Sequence, residues 1–190
     1  MSQELIASLF LGIGLAASAG FRVFLPLFAL SLASNYGILE LNESWDWIGS
    51  TAAITTLGIA TVAEVFAYLI PWVDNALDSI AIPLAAIAGT AVMVATVSDL
   101  DPVITWSLAI IAGGGTATAI KGANAAGRLT STATTGGLAN PVVGAVETGA
   151  AATVSLASLF MPVIAGILVV FILFFVFFIY RKLRPRRKTA

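Results

Sequence analysis

Apolar windows of roughly 20 residues, long enough to cross a bilayer as helices, fall near 4–33, 50–71, 79–98, 103–121, 141–159 and 160–180. Between them lie polar, turn-prone connectors: 35-NYGILELNESWDWIG-49, 72-WVDNALDS-79, 98-SDLDP-102 and 121-KGANAAGRLTSTATTGGLANP-141. The pattern predicts an all-α membrane protein of about six transmembrane helices. Asn140 reads as the N-cap of the fifth helix, with Pro141 at its first helical position. Pro162 falls in the first turn of the sixth, and 163-VIAGILVVFILFFVFFIYR-181 is bulky and apolar all round, a lipid-facing helix without chemistry.

Composition agrees. Hydrophobic residues make up 59% of the chain and charged ones 10%, against about a quarter charged in a soluble domain. Such a chain cannot cover a water-facing surface. It has no cysteine and no histidine, which excludes disulfides, thiolate catalysis, haem ligation and the usual zinc sites, so no cofactor or metal is expected. The triplet 17-ASA-19 resembles a signal cleavage site, but 1-MSQEL-5 lacks a positive n-region and the apolar run continues to Leu32. The segment is therefore read as mature protein.

Charge sets the expected topology. Six of the nine basic residues lie in 181-RKLRPRRKTA-190, and basic flanks face the cytoplasm. With the tail inside, counting back six spans puts the 121–140 connector and the N-terminus inside as well. Glu40, Glu43, Asp46, Asp99 and Asp101 then face out. Trp45, Trp47, Trp72 and Trp106 fall near window ends, where interface anchors belong.

The two halves resemble each other. The stretch 13-IGLAASAGFRVF-24 answers 112-AGGGTATAIKGA-123, each a small-residue helix with an apolar–cation pair, Phe21-Arg22 and Ile120-Lys121. Likewise 62-VAEVFA-67 answers 145-AVETGA-150, each with one carboxylate, and 82-IPLAAIAG-89 answers 161-MPVIAGIL-168, each with a proline read as opening a helix. Three spans per half is an odd number, so the second copy enters upside down, the inverted-repeat plan of many transporters. The expected organisation is a first repeat over 1–102 with an outer loop at 34–49, a second over 103–180, and a basic tail at 181–190.

Arg22, Glu64 and Glu147 sit well inside apolar windows. Unpaired, three such charges would cost roughly 8–10 kcal/mol on insertion scales. They are expected to face the bundle interior and each other, as a packing lock or as a ligand or proton site. The neighbours of Glu147 one turn away, Val143, Gly144, Ala150 and Ala151, are mostly small, as are Ala60, Thr61 and Ala67 around Glu64, with Tyr68 the exception. Such faces pack on protein rather than lipid.

The segment 113-GGGTATAIKGANAAGRLTSTATTGGLANP-141 holds seven glycines, seven Ser or Thr residues, two cations and no carboxylate. It is too polar for a clean span and too apolar for a solvated loop. Residues 122–140 therefore read as a re-entrant or broken-helix element. Its hydroxyls, backbone N–H groups and cations suit an anion, phosphate above all. The candidate substrate-binding residues are Arg22, Lys121, Arg128, Thr134, Thr135 and Asn140, with Glu64 and Glu147 for proton coupling or ion pairing. Asp74 and Asp78, one turn apart in the second connector, are candidates for salt bridges to Lys121 and Arg128; capping of the third helix by Asp78 or Ser79 is the plainer role.

The stretches 20-GFRVFLPL-27, 70-IPWVDNALDSIAIP-83, 108-LAIIAGGG-115 and 131-STATTGGLANP-141 resemble the bacterial membrane family known as domain of unknown function 4126. The resemblance covers nearly the whole chain. It implies a stand-alone multi-pass protein of the bacterial inner membrane and assigns no activity. The residues themselves favour a small transporter or flippase for an anionic, phosphate-bearing molecule or lipid headgroup, with carboxylates coupling to protons. A passive channel and a structural or assembly protein are the alternatives. An enzyme comes last, since no nucleophile–base pair is evident. The expected partners are the bilayer, the anion and a second copy in a homodimer, because six short spans enclose little volume; no nucleic acid is expected.

Overall fold

The first apolar window forms two helices, α1 (Gln3–Phe21) and α2 (Phe24–Asn35). Pro26 is the reason for the break. In a continuous helix its ring would collide with the carbonyl of Arg22, and it has no N–H to give, whereas the first turn of a new helix accepts it. The last turn of α1 closes with Arg22 N–H donating to the Ser18 carbonyl at 3.0 Å.

The computed structural model describes residues 3–97 and 100–183, with the side chains of residues 71, 72, 74, 75, 78, 179, 180 and 183 excepted. Every regular element among them is helical. After a 3₁₀ turn (Glu43–Gly49) come α3 (Thr51–Ala67), α4 (Pro71–Thr96), α5 (Pro102–Leu108), a π-helical turn (Ala109–Gly114), α6 (Gly115–Thr135), α7 (Asn140–Phe160) and α8 (Pro162–Leu183). Four stretches are long and apolar enough to cross a membrane: α1, Ser79–Thr96 of α4, Pro102–Thr135, and α7. The 3₁₀ turn and α3, bent by 64° at Ser50, make a fifth if counted together. Among the described residues these match four or five of the six expected spans, because α3 alone has 17 residues and the described apolar stretch of α8, Pro162–Phe178, is also shorter than a full span.

Helix α1 is the centre of the bundle, packed against α4, α6, α7 and α8. Its second half, from Leu11 to Gly20, is buried except at Ile13. Small residues make this possible by letting backbones approach. Where α4 crosses the π-turn and the start of α6, backbones come close: a Cβ on Gly113 would lie 2.5 Å from the Gly89 carbonyl oxygen, and one on Gly89 would lie 2.6 Å from Ala117 Cβ. Between α1 and α7, Ser18 Oγ donates to the Ala151 carbonyl at 2.8 Å and meets Ser155 Oγ at 2.7 Å. Helix α8 presents Phe171, Phe174, Phe175, Phe177 and Phe178 outward, and among its described residues it buries a narrow stripe at Ala165, Gly166 and Val169.

Several sequence expectations need correction. Residues 122–135 form an unbroken α-helix, followed by a turn at 136–139 that starts with Gly136 in the left-handed conformation (φ +63°). The re-entrant or broken element expected at 122–140 is therefore a helical hairpin end. Its hydroxyls stay in the helix by bonding backward: Thr130 to the Ala126 carbonyl, Thr134 to that of Thr130 and Thr135 to that of Ser131. The interruption lies upstream, in the π-turn. Asn140 is the first residue of α7 rather than its cap. Helix α4 starts at Pro71, so residues 78 and 79 lie inside it and Pro83 is an internal proline rather than a helix opener. The acidic outer loop is folded onto the bundle: Ile48 is buried, Ser31 Oγ donates to its carbonyl at 2.5 Å, and Asn42 N–H donates to the Ala95 carbonyl at 3.0 Å. Trp47 is exposed while Trp45 packs on the core. The Trp72 side chain, Asp99 and the tail from residue 184 lie outside the described residues.

Candidate functional site: buried charges around Tyr68

Three basic residues precede the tail, on three different turns of the fold, and all three converge on one aromatic ring. Arg22 Cζ, Arg128 Cζ and Lys121 Nζ lie 4.1, 4.7 and 5.1 Å from the centroid of Tyr68, within cation–π range. Lys121 Nζ also donates to the Tyr68 hydroxyl at 3.2 Å. Arg22, Lys121 and Arg128 are only 1%, 2% and 3% exposed. A guanidinium stays charged under any condition a protein meets, so the positive charge of Arg22 and Arg128 must be balanced from within.

Glu147 supplies much of that balance. Arg128 donates to it through Nε at 3.0 Å and Nη2 at 2.6 Å, a bidentate pair across the α6–α7 hairpin. Arg22 Nη2 lies 3.7 Å from the same carboxylate and donates to the Gly144 carbonyl at 2.7 Å, while its Nε donates to Thr148 Oγ1 at 3.0 Å. Gly144 is what brings the guanidinium so close: a Cβ there would sit 3.3 Å from Arg22 Nη2. The remaining nitrogen, Arg22 Nη1, is buried with no hydrogen-bond partner among the described residues, as are Ser131 Oγ and Asn140 Oδ1.

Glu64 does something else. Its two oxygens accept from Val23 N–H at 2.8 Å and Phe24 N–H at 3.1 Å. It caps the start of α2 from a neighbouring helix, satisfying donors that the break exposes and meeting the positive end of the helix dipole. The other side of the break is served by Asn124, whose Nδ2 donates to the Gly20 carbonyl at 3.4 Å.

Of the residues singled out from the sequence, Arg22, Lys121, Arg128, Glu64 and Glu147 are thus brought together. Asn140 is buried one turn before Gly144 and its Nδ2 donates to Thr132 Oγ1 at 3.2 Å. Thr134 and Thr135 are exposed and occupied with their own helix, so they take no part. The side chains of Asp74 and Asp78 lie outside the described residues. Tyr68 was overlooked as a centre, although its position four residues after Glu64 puts both on one helix face. The Gly144 carbonyl carries no signal, since a backbone acceptor is invisible to residue type, and Thr148 is marked only by following Glu147 directly. Among the described residues no group of acidic side chains could hold a metal ion.

Two clefts reach the cluster. One of about 330 Å³ lies between α2, α3 and α4, with Val23, Phe24, Glu64, Tyr68 and Leu84 in its wall. The other, about 280 Å³, lies between α1, α6 and α7 and is lined by Phe21, Asn124, Gly127, Val143 and Glu147 with their neighbours. Among the described residues none lines both, and the residue between Phe21 and Val23 is Arg22. A roomier cleft of about 720 Å³ near Trp45 and Trp106 touches none of these charges, so volume alone does not locate the site.

A bundle of apolar helices closed around buried, mutually paired charges defines a multi-pass helical membrane protein. The chain belongs to the family described as domain of unknown function DUF4126, whose model matches residues 9–182. This is the family its motifs resemble. No curated protein and no solved structure matches the chain.

Proposed function

We propose that this protein is a small membrane transporter or flippase for an anionic substrate, with Arg22, Lys121 and Arg128 as its binding cations. One observation carries the reading. Arg22 stands between two clefts that share no wall, each has a carboxylate in its lining, and one Arg22 nitrogen lacks a partner. Intramembrane charges of this kind mark substrate paths and proton relays by default. An anion arriving at Arg22 and Arg128 competes with Glu147, and displacing that carboxylate couples binding to proton uptake.

The same reading takes the chain as six passes in two inverted halves, in the bacterial inner membrane with both termini cytoplasmic. Helix α8 has 22 residues, a rise of about 33 Å, enough to cross. In each half the second long helix returns a carboxylate to the first element: Glu64 of α3 to the α1–α2 break, Glu147 of α7 to Arg128 of α6. Pro71 and Pro162 open the third helices, the correspondence that Pro83 does not provide.

The test is flux into proteoliposomes under an imposed pH gradient, with radiolabelled inorganic phosphate and a fluorescent phosphatidic acid as probes. Transport of either probe, lost in Arg22→Gln and made indifferent to pH in Glu147→Gln, is expected. Conductance without proton dependence would make the protein a channel. No flux of either probe would leave the second reading, a structural or assembly role. The fully engaged carboxylates favour that second reading: both oxygens of Glu64 and of Glu147 already accept hydrogen bonds.

A further inference from the structure

We infer that the substrate is an amphiphile, a phosphate-type anion on an apolar chain, which enters sideways through the cleft between α1, α6 and α7. The inference rests on the proposed anion site at Arg22 and Arg128 and adds the nature of what is attached to the anion.

The chemistry of this cleft changes with depth. At its inner end stands Glu147, hydrogen-bonded to Arg128 and 3.7 Å from Arg22. Its outer wall is apolar: Val142 and Val146 are 66% and 67% exposed, on the opposite side of α7 from the buried Gly144 and Ala151. An opening onto water would carry a polar rim, whereas exposed valines on a membrane helix face hydrocarbon. The cleft is therefore a side door from the lipid to Glu147, with the arginines that pair with it, Arg128 and Arg22, directly behind. Its volume, about 280 Å³, lies just below the range of small-molecule sites, which starts at about 300 Å³. That is room for a headgroup and its first methylenes, with the rest of the chain left in the bilayer.

The unpartnered atoms suit the same ligand. Arg22 Nη1 needs an acceptor, and Asn140 Oδ1 and Ser131 Oγ are buried without partners one helical turn from Gly144 and Arg128. A phosphomonoester offers acceptor oxygens to the guanidinium and, when singly protonated, a donor to the amide. A plain carboxylate offers only acceptors, and Glu147 already fills that role.

Gly127 gives a clean handle on the chain. It lines the cleft, and a Cβ added there meets nothing within 4 Å. A side chain at Gly127 therefore starts in open space, Gly127→Leu extends it into the passage, and leucine is the better helix former. The experiment is binding to the full-length protein in neutral-lipid nanodiscs, followed by thermal shift and intrinsic tryptophan fluorescence. The probes are decyl phosphate, inorganic phosphate and decyltrimethylammonium.

Decyl phosphate is expected to bind at least about tenfold more tightly than inorganic phosphate, a preference that two buried methylenes supply. Gly127→Leu removes that preference, and Arg22→Gln removes binding of both phosphates. Equal binding of the two phosphates, or a preference that survives Gly127→Leu, overturns the amphiphile while leaving the anion site. Equally tight binding of decyltrimethylammonium overturns it too, by reducing the cleft to an apolar surface. If neither phosphate binds, or Arg22→Gln binds both unchanged, the anion site itself fails and the amphiphile falls with it.

Discussion

Glu64 and Glu147 are the same residue type, both buried inside apolar helices, and they solve the problem of a carboxylate in a membrane in opposite ways. Glu147 meets side chains: two arginines, one of them bidentate. Glu64 meets backbone, closing two N–H groups at the start of a broken helix. An ion pair has two partners that can each be removed and replaced by apolar groups. A carboxylate serving backbone donors has no such exchange, because the N–H groups remain whatever the side chain becomes. Glu147 is thus the carboxylate whose partners can be exchanged, while Glu64 holds the architecture that places Arg22.

The largest effect should follow from breaking the pair. Glu147→Ala leaves two buried guanidiniums short of their counter-charge and should destabilise the protein by about 3–5 kcal/mol, read by denaturant unfolding in detergent. Combining Arg128→Met with Glu147→Leu should recover most of that loss. Failure to recover would mean that the pair cannot be separated from Arg22 and Tyr68.

Glu64→Ala comes next, at about 2–4 kcal/mol, since two buried donors lose their acceptors. Glu64→Gln keeps one acceptor oxygen and should lose about 1 kcal/mol. If Gln were as damaging as Ala, the charge of Glu64 rather than its cap would be what matters, and the contrast with Glu147 would close. Smallest is Tyr68→Phe, which keeps the ring under its three cations and removes only the hydroxyl that accepts from Lys121, about 1 kcal/mol. A larger loss in the same unfolding assay would shift the weight from the ring to the hydroxyl.

How much of this could be read in the sequence depends on the kind of evidence each feature leaves. Membrane residence follows from composition, and the inward orientation of Arg22, Glu64 and Glu147 from the cost of exposing charge to lipid. Their convergence was legible too, because an expensive buried charge needs a partner. The choice of partner was not: Glu64 found backbone, and backbone is the same at every position. The break at Arg22 was written in Pro26, four residues on, but the unbroken hydropathy of Leu5–Leu32 conceals it. The helix over residues 122–135 is hidden for the converse reason. Glycine and threonine are poor helix formers in water, yet here packing against α1 and hydroxyl bonds back to the preceding turn hold them in place.

The π-turn at Ala109–Gly114 has a bearing on the charge cluster more than a turn away. A π-bulge accommodates one residue more than the α-helix around it, and one residue is about 100° of rotation. Everything after it in the 34-residue stretch Pro102–Thr135 is turned by that angle relative to everything before. The Gly89–Gly113 crossing therefore works as an indexing pin. It clamps the chain where the phase is set, and the azimuth at which Lys121 and Arg128 leave α6, facing Tyr68 rather than lipid, is decided there.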